Sequence, residues 1–182
     1  MTVAVRTVTE YDRQAVKTAI DDALRTLPQD PLDACRTVLL KPNFIVPEDH
    51  RKASTTHPEF YLAAAELLLD AGKDVTIADS PAFGSTGMCI RAHKARAECR
   101  RLGVNILNLR RSRRIDGVPK HPHYGTLSIA ADLERFDAVV NLPKLKVHGQ
   151  FVFTGATKNL FGCVVGKRKA YRHFRSQNCL EG

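Results

Sequence analysis

Lys144, Lys146 and His148 are spaced two residues apart, directly after an apolar run that reads as a buried strand (Ala138, Val139, Val140, Leu142) and a break at Pro143. Alternate residues of an extended segment point the same way, so the three can share one face. Cationic or cationisable groups gathered on one face just past a buried strand suit the binding of an anion. A Thr154-Gly155 step then reads as a helix start, with Thr154 as its cap and Lys158 and Asn159 one turn further on. Thr154 can therefore cap that turn while Lys158 reaches the mouth of the same pocket.

Two earlier segments add chemistry of the same kind. An apolar run through Val38, Leu39 and Leu40 ends in Lys41-Pro42-Asn43, and another through Val75, Ile77 and Ala78 ends in Asp79-Ser80-Pro81. Asn141 stands at the end of the strand that precedes Lys144. Lys41, with Lys144, Lys146 and Lys158, would neutralise an anion, and Asn43, Asn141 and Asn159 would orient it. Asp79 can act as a general base, bind a hydroxyl or hold a cation, or it can simply cap a turn. His57, before Pro58, ends a loop and opens a helix whose dipole favours neutral imidazole; its other reading is helix entry and local hydrogen bonding. His57, Asp79 and His148 are the candidates for proton transfer.

The elements needed to position these residues follow from periodicity. Residues 3–8 alternate apolar and polar and predict a strand. Ala15, Ala19, Ala23 and Leu27 lie at helical spacing, and Pro28 and Pro31 stop that helix. Thr56 is the expected cap of a second helix with Pro58 in its first turn, closing at Gly72. A third helix is expected over 86–102, closing at Gly103, and a strand over 104–109. The segment 110–124 reads as an exposed loop or weak hairpin. A strand over 127–130, a helical turn over 132–135, the strand at 137–142 and helical stretches at 154–165 and 167–175 complete the pattern.

Strands alternating with helices predict βαβ units and a mainly parallel sheet flanked by helices, an open three-layer α/β architecture that is Rossmann-like but lacks a dinucleotide fingerprint. In such sheets ligands bind beyond the carboxyl ends of the strands. Parallel strands would bring the turns at Lys41, Asp79 and Lys144 to one edge.

Other phosphate and metal signatures fall short. Gly162-Cys163-Val164-Val165-Gly166-Lys167 has one residue too few between its glycines for a P-loop, and Arg168 replaces the magnesium-binding hydroxyl. Gly84-Ser85-Thr86-Gly87 is not GxGxxG; it offers backbone N–H groups to an anion or serves only as a turn. Cys89 with His93, and His121 with His123, give two ligands each but no third, so no metal site is assigned.

The 182 residues suit one domain with a real core. Five cysteines without a CxxC fit neither a disulfide framework nor a zinc or iron–sulfur motif. No apolar run suits a signal peptide or a membrane span, so the expected location is cytoplasmic. The net charge of +9 is uneven, with 9 Lys and Arg against 13 Asp and Glu in residues 1–90 and 19 against 6 in residues 91–182. That asymmetry leaves two alternatives open: nucleic-acid binding through residues 110–114 and 167–175, or docking on an acidic partner. The absence of Trp counts against base stacking.

Five strings taken in order resemble the domain-of-unknown-function 362 family: Lys41-Pro42-Asn43, Thr56-His57-Pro58-Glu59, Ala78-Asp79-Ser80-Pro81, Asn141-Leu142-Pro143-Lys144-Leu145-Lys146-Val147-His148 and Thr154-Gly155-Ala156-Thr157-Lys158-Asn159-Leu160-Phe161-Gly162. The resemblance covers residues 38 to 175. It implies an α/β domain, joined in some members by a ferredoxin-type iron–sulfur module. Residues 1–182 would form one α/β domain, the N-terminal portion of a longer family domain. This chain lacks the cysteine run of that module, so its cofactor is left unknown. The resemblance tilts the chemistry towards an oxidoreductase-associated role served by an external iron–sulfur partner.

Overall fold

The computed structural model describes residues 2–115, 128–148 and 153–165. Helix α1 (Arg13–Arg25) opens at Asp12, whose carboxylate accepts from the Ala15 N–H. Strand β1 (Thr37–Pro42) follows, then a 3-10 turn at His50–Lys52 and helix α2 (Pro58–Asp70). Pro58 occupies the first helical turn, where its missing N–H costs nothing. The cap of α2 is His57 and not Thr56: His57 Nδ1 accepts from the Glu59 N–H at 3.2 Å. Thr56 instead bridges two strand ends, accepting from the Asn43 N–H and donating to the Leu142 carbonyl.

Strand β2 (Asp74–Asp79) leads to α3 (Thr86–Ala92) and α4 (Arg96–Arg101), then to β3 (Asn105–Asn108). The single helix expected over 86–102 is thus two. Lys94 takes a left-handed φ of 59°, and His93 just before it is tied to Thr55 and Tyr61. The chain turns there so that Ala95 and Cys99 re-enter the core. Strand β4 (Ser112–Arg114) pairs antiparallel with β5 (Ser128–Ala130), which makes the 110–124 region a hairpin arm where it is described. A 3-10 turn (Ala131–Arg135) precedes β6 (Ala138–Leu142), and β7 (Lys146–Val147) pairs antiparallel with β8 (Phe153–Thr154). Helix α5 (Ala156–Leu160) runs into a 3-10 turn at Phe161–Cys163. Its cap is Gly155, because Thr154 belongs to β8.

The main sheet has the order β3-β2-β1-β6, with all three pairings parallel. This is the α/β fold expected from the alternation of elements. Asp137 sets one register: its carboxylate accepts from the Arg36 and Thr37 N–H groups and the Thr37 hydroxyl, so β6 starts level with β1. Val38, Leu40, Val75 and Ile77 point to the face covered by the helices, with Tyr61, Leu62, Ile90 and Cys99. Leu39 and Ala78 point to the other face, packed with Leu109, Ala130 and Val165.

Residues 3–8 form no strand among the described residues. Val3 and Val5 are 72% and 78% exposed, so alternation alone, without a neighbouring edge to accept its hydrogen bonds, did not make a strand.

Candidate functional site

Parallel pairing of β2, β1 and β6 brings Asp79, Lys41 and Asn141 to one edge of the sheet. The segment from β7 to the Phe161–Cys163 turn folds over that edge. Between them lies a cavity of about 170 Å³, lined by Lys41, Asn43, Asp79, Lys146, His148, Thr154, Lys158, Asn159 and Gly162, with Phe44, Ile45, Ala82 and Phe161 as its apolar wall.

Its floor is a buried ion pair. Lys41 Nζ lies 2.6 Å from Asp79 Oδ1, and Asp79 Oδ2 accepts from the Phe44 N–H at 2.8 Å. Lys41 also donates towards the Asn159 side-chain oxygen at 3.4 Å and the Pro42 carbonyl at 3.3 Å. Asn159 returns a hydrogen bond to the Lys41 carbonyl and another to Asn141 Oδ1, while Asn141 holds the Ala156 carbonyl. This network ties α5 to β1 and β6, so Asn141 stands behind the cavity and not in it.

Gly162 closes against the pair. A Cβ at this position would sit 2.5 Å from Lys41 Nζ and 2.9 Å from Asp79 Oδ1. Among the sequence signals only the glycine-containing string around it pointed here, and a three-dimensional close approach leaves no periodic trace in a sequence.

The lysines differ sharply in their surroundings. Lys146 Nζ donates to Asn43 Oδ1 at 3.0 Å and to the Ser54 carbonyl, both neutral oxygens. Burial brings Lys146 down to about 8, helped by the charges of Lys158 and Lys144 and opposed by Glu48. Burial brings Lys158 down to about 8. Thr154 is 4% exposed, and its hydroxyl has no hydrogen-bond partner among the described residues.

Lys144 and His57 do not line the cavity. Lys144 lies in the turn before β7, so the alternation expected through 144, 146 and 148 holds only from Lys146 onwards. His57 stacks on Tyr11 with ring centroids 3.8 Å apart and faces His50 at 4.7 Å. Its pKa is lowered first by burial, then by His50 and Lys144. Cys89 is buried in the core, and both ring nitrogens of His93 are engaged, by Thr55 and Tyr61. No group of three or more His, Cys, Asp or Glu able to hold a metal ion occurs among the described residues. His121, His123 and the stretch 166–175 lie outside them. At Gly84, a φ of +78° and the contact a Cβ would make with Pro47 at 2.6 Å account for the glycine.

Fold and site together define a parallel α/β domain with a small, lysine-rich pocket beyond the carboxyl ends of its strands. The chain belongs to the DUF362 family, a domain of unknown function, whose model matches residues 38–180. It is 36% identical over 139 residues to a thylakoid-associated protein of Synechocystis sp., across 76% of this chain and 42% of that protein. The chain thus spans less than half the length of that curated relative. No solved structure matches. Among the described residues, no helix is long and apolar enough to cross a membrane.

Proposed function

We propose that this chain is an enzyme-like domain that binds a small anionic metabolite or cofactor, a carboxylate or a phosphate, at the carboxyl edge of its sheet. The observation that carries this reading is the setting of Lys146: a half-buried ammonium in a cavity whose acceptors among the described residues are two neutral oxygens, with Lys158 on the same wall. A desolvated ammonium whose described acceptors are uncharged is stabilised by an incoming anion. Asn43, Asn159 and the Thr154 hydroxyl would orient that anion, and His148 is the proton-transfer group at its side. Lys41 and Asp79 neutralise each other and form a rigid floor, with Asn141 bracing it; His57 and Lys144 act from outside the cavity.

A cavity of about 170 Å³ is smaller than the ~300–1,000 Å³ typical of sites for drug-sized ligands, which favours a compact anion over a nucleotide. Any redox role would draw electrons from an external iron–sulfur partner, since the sequence has no cysteine run for a cluster. The domain would be the N-terminal portion of a longer family domain and would work in the cytoplasm. The thylakoid association of the Synechocystis relative points in addition to contact with a membrane periphery. On the basic arm, Arg111 pairs with Asp132 and Arg113 with Glu134, which weighs against a nucleic-acid or acidic-partner surface there.

Titration calorimetry with inorganic phosphate and with lactate tests the reading. Lys146→Ala should weaken the bound anion at least tenfold in a chain that keeps its circular dichroism. Unchanged affinity would sink it.

A further inference from the structure

Of the three lysines that line the cavity, Lys41 is locked as an ion pair at 2.6 Å from Asp79. Lys146 is not locked in that way. A neutral primary amine has two N–H bonds and one lone pair, and Lys146 Nζ has two acceptors among the described residues, Asn43 Oδ1 and the Ser54 carbonyl. Both acceptors are uncharged and serve an amine as well as an ammonium. Among the described residues none takes the third tetrahedral position of the nitrogen, which faces the cavity. Glu48, the acid whose charge acts on Lys146, makes its ion pair with Lys52.

We infer that Lys146 is a nucleophilic amine that forms an imine with a small 2-oxo acid bound in this cavity. The inference rests on the anion-binding reading above and names the substrate class of the same site. Its support is the arrangement of groups around the nitrogen. Lys158 places a second cation in the cavity, which both disfavours the ammonium form of Lys146 and can receive the carboxylate of the oxo acid. The buried Thr154 hydroxyl has no hydrogen-bond partner among the described residues and lies on the same wall, placed to meet an oxygen of the ligand. His148 lines the cavity as well, so a group able to carry protons is at hand.

The step balances without oxidant or reductant. The Nζ lone pair attacks the ketone carbon, and the C=O π pair moves to oxygen, which takes up a proton as the nitrogen gives one up. The resulting carbinolamine hydroxyl is protonated and leaves as water, and the nitrogen lone pair forms the C=N bond. His148 can supply the proton for that departure and receive the one released from nitrogen.

The test uses pyruvate and sodium borohydride on the full chain, read by intact mass and peptide mapping, with lactate as the non-carbonyl competitor. The expected result is one adduct, heavier by a pyruvate less one oxygen atom, located on Lys146 and suppressed by lactate. Lys146→Arg has no primary amine at this position and should lose the adduct, while lactate binding is read on the unaltered chain. Adducts scattered over surface lysines, or no adduct while lactate binds normally, would overturn the imine and leave the anion site standing. If neither lactate nor pyruvate binds, the anion reading falls, and the imine falls with it.

Discussion

Lys41 and Asp79, on adjacent parallel strands, form an ion pair 2.6 Å long with both side chains sealed from solvent. Such a pair is worth little against an apolar replacement, but breaking it strands a charge in the interior. Asp79→Asn should therefore cost about 3–5 kcal/mol of stability in urea titration. Lys41→Met combined with Asp79→Leu should recover most of that loss, short of about 1 kcal/mol for the Phe44 N–H that loses its acceptor. A double variant no more stable than Asp79→Asn would show that the pair is not the source of the effect.

Gly162→Ala presses a methyl group onto this pair. The displaced atom is the tip of a lysine, ordinarily free to swing aside, but here it is held by Asp79, Asn159 and the Pro42 carbonyl. The expected cost is about 1–3 kcal/mol, and anion affinity should fall with it because the cavity floor moves. Thermal melts and calorimetry on the same variant check both, and a wild-type melting temperature would argue that the turn at 161–163 yields instead.

Much of this arrangement was legible in the sequence, for identifiable reasons. Apolar runs ending in Lys41-Pro42-Asn43 and Asp79-Ser80-Pro81 name strands and their carboxyl ends together, and parallel pairing then places the ends on one edge. What periodicity cannot express is pairing between remote side chains. Lys41 reads as a free cation and Asp79 as a free base until the fold brings them together. Thr154 reads as a helix cap until β8 claims it, and residues 3–8 read as a strand although no described edge accepts them.

The two depressed lysines make binding and imine trapping move in opposite directions with pH. Lys146 and Lys158 are both brought down to about 8, so between about pH 5 and 8 both are ammonium, and the affinity for lactate, whose charge is constant there, should be flat. Above it each loses its proton, and affinity should fall by about tenfold per pH unit for each lysine whose charge the anion requires. Borohydride trapping of pyruvate needs the neutral amine and should rise as pH approaches 8 from below. Calorimetry and trapping across the same pH series check this, and two profiles moving in parallel would contradict it.

His93 makes the fold itself sensitive to acid. The ring is buried between Thr55, whose hydroxyl lies 3.0 Å from Nε2, and Tyr61, whose hydroxyl lies 3.3 Å from Nδ1. Burial, with the nearby His50 and His57, brings its pKa down to about 4. The unfolded chain binds this proton below about 6.5, and the folded chain resists it until about 4. Within that window the unfolded state holds more protons, so stability must fall as pH falls, by at most about 3 kcal/mol for this ring. His57, also lowered by burial, contributes in the same direction. His93→Gln keeps hydrogen-bonding groups at the site and removes the titration, so it should flatten the decline in urea midpoint between pH 6.5 and 4. A decline identical to that of the wild type would assign the acid sensitivity to His57 or to the carboxylates paired elsewhere on the surface.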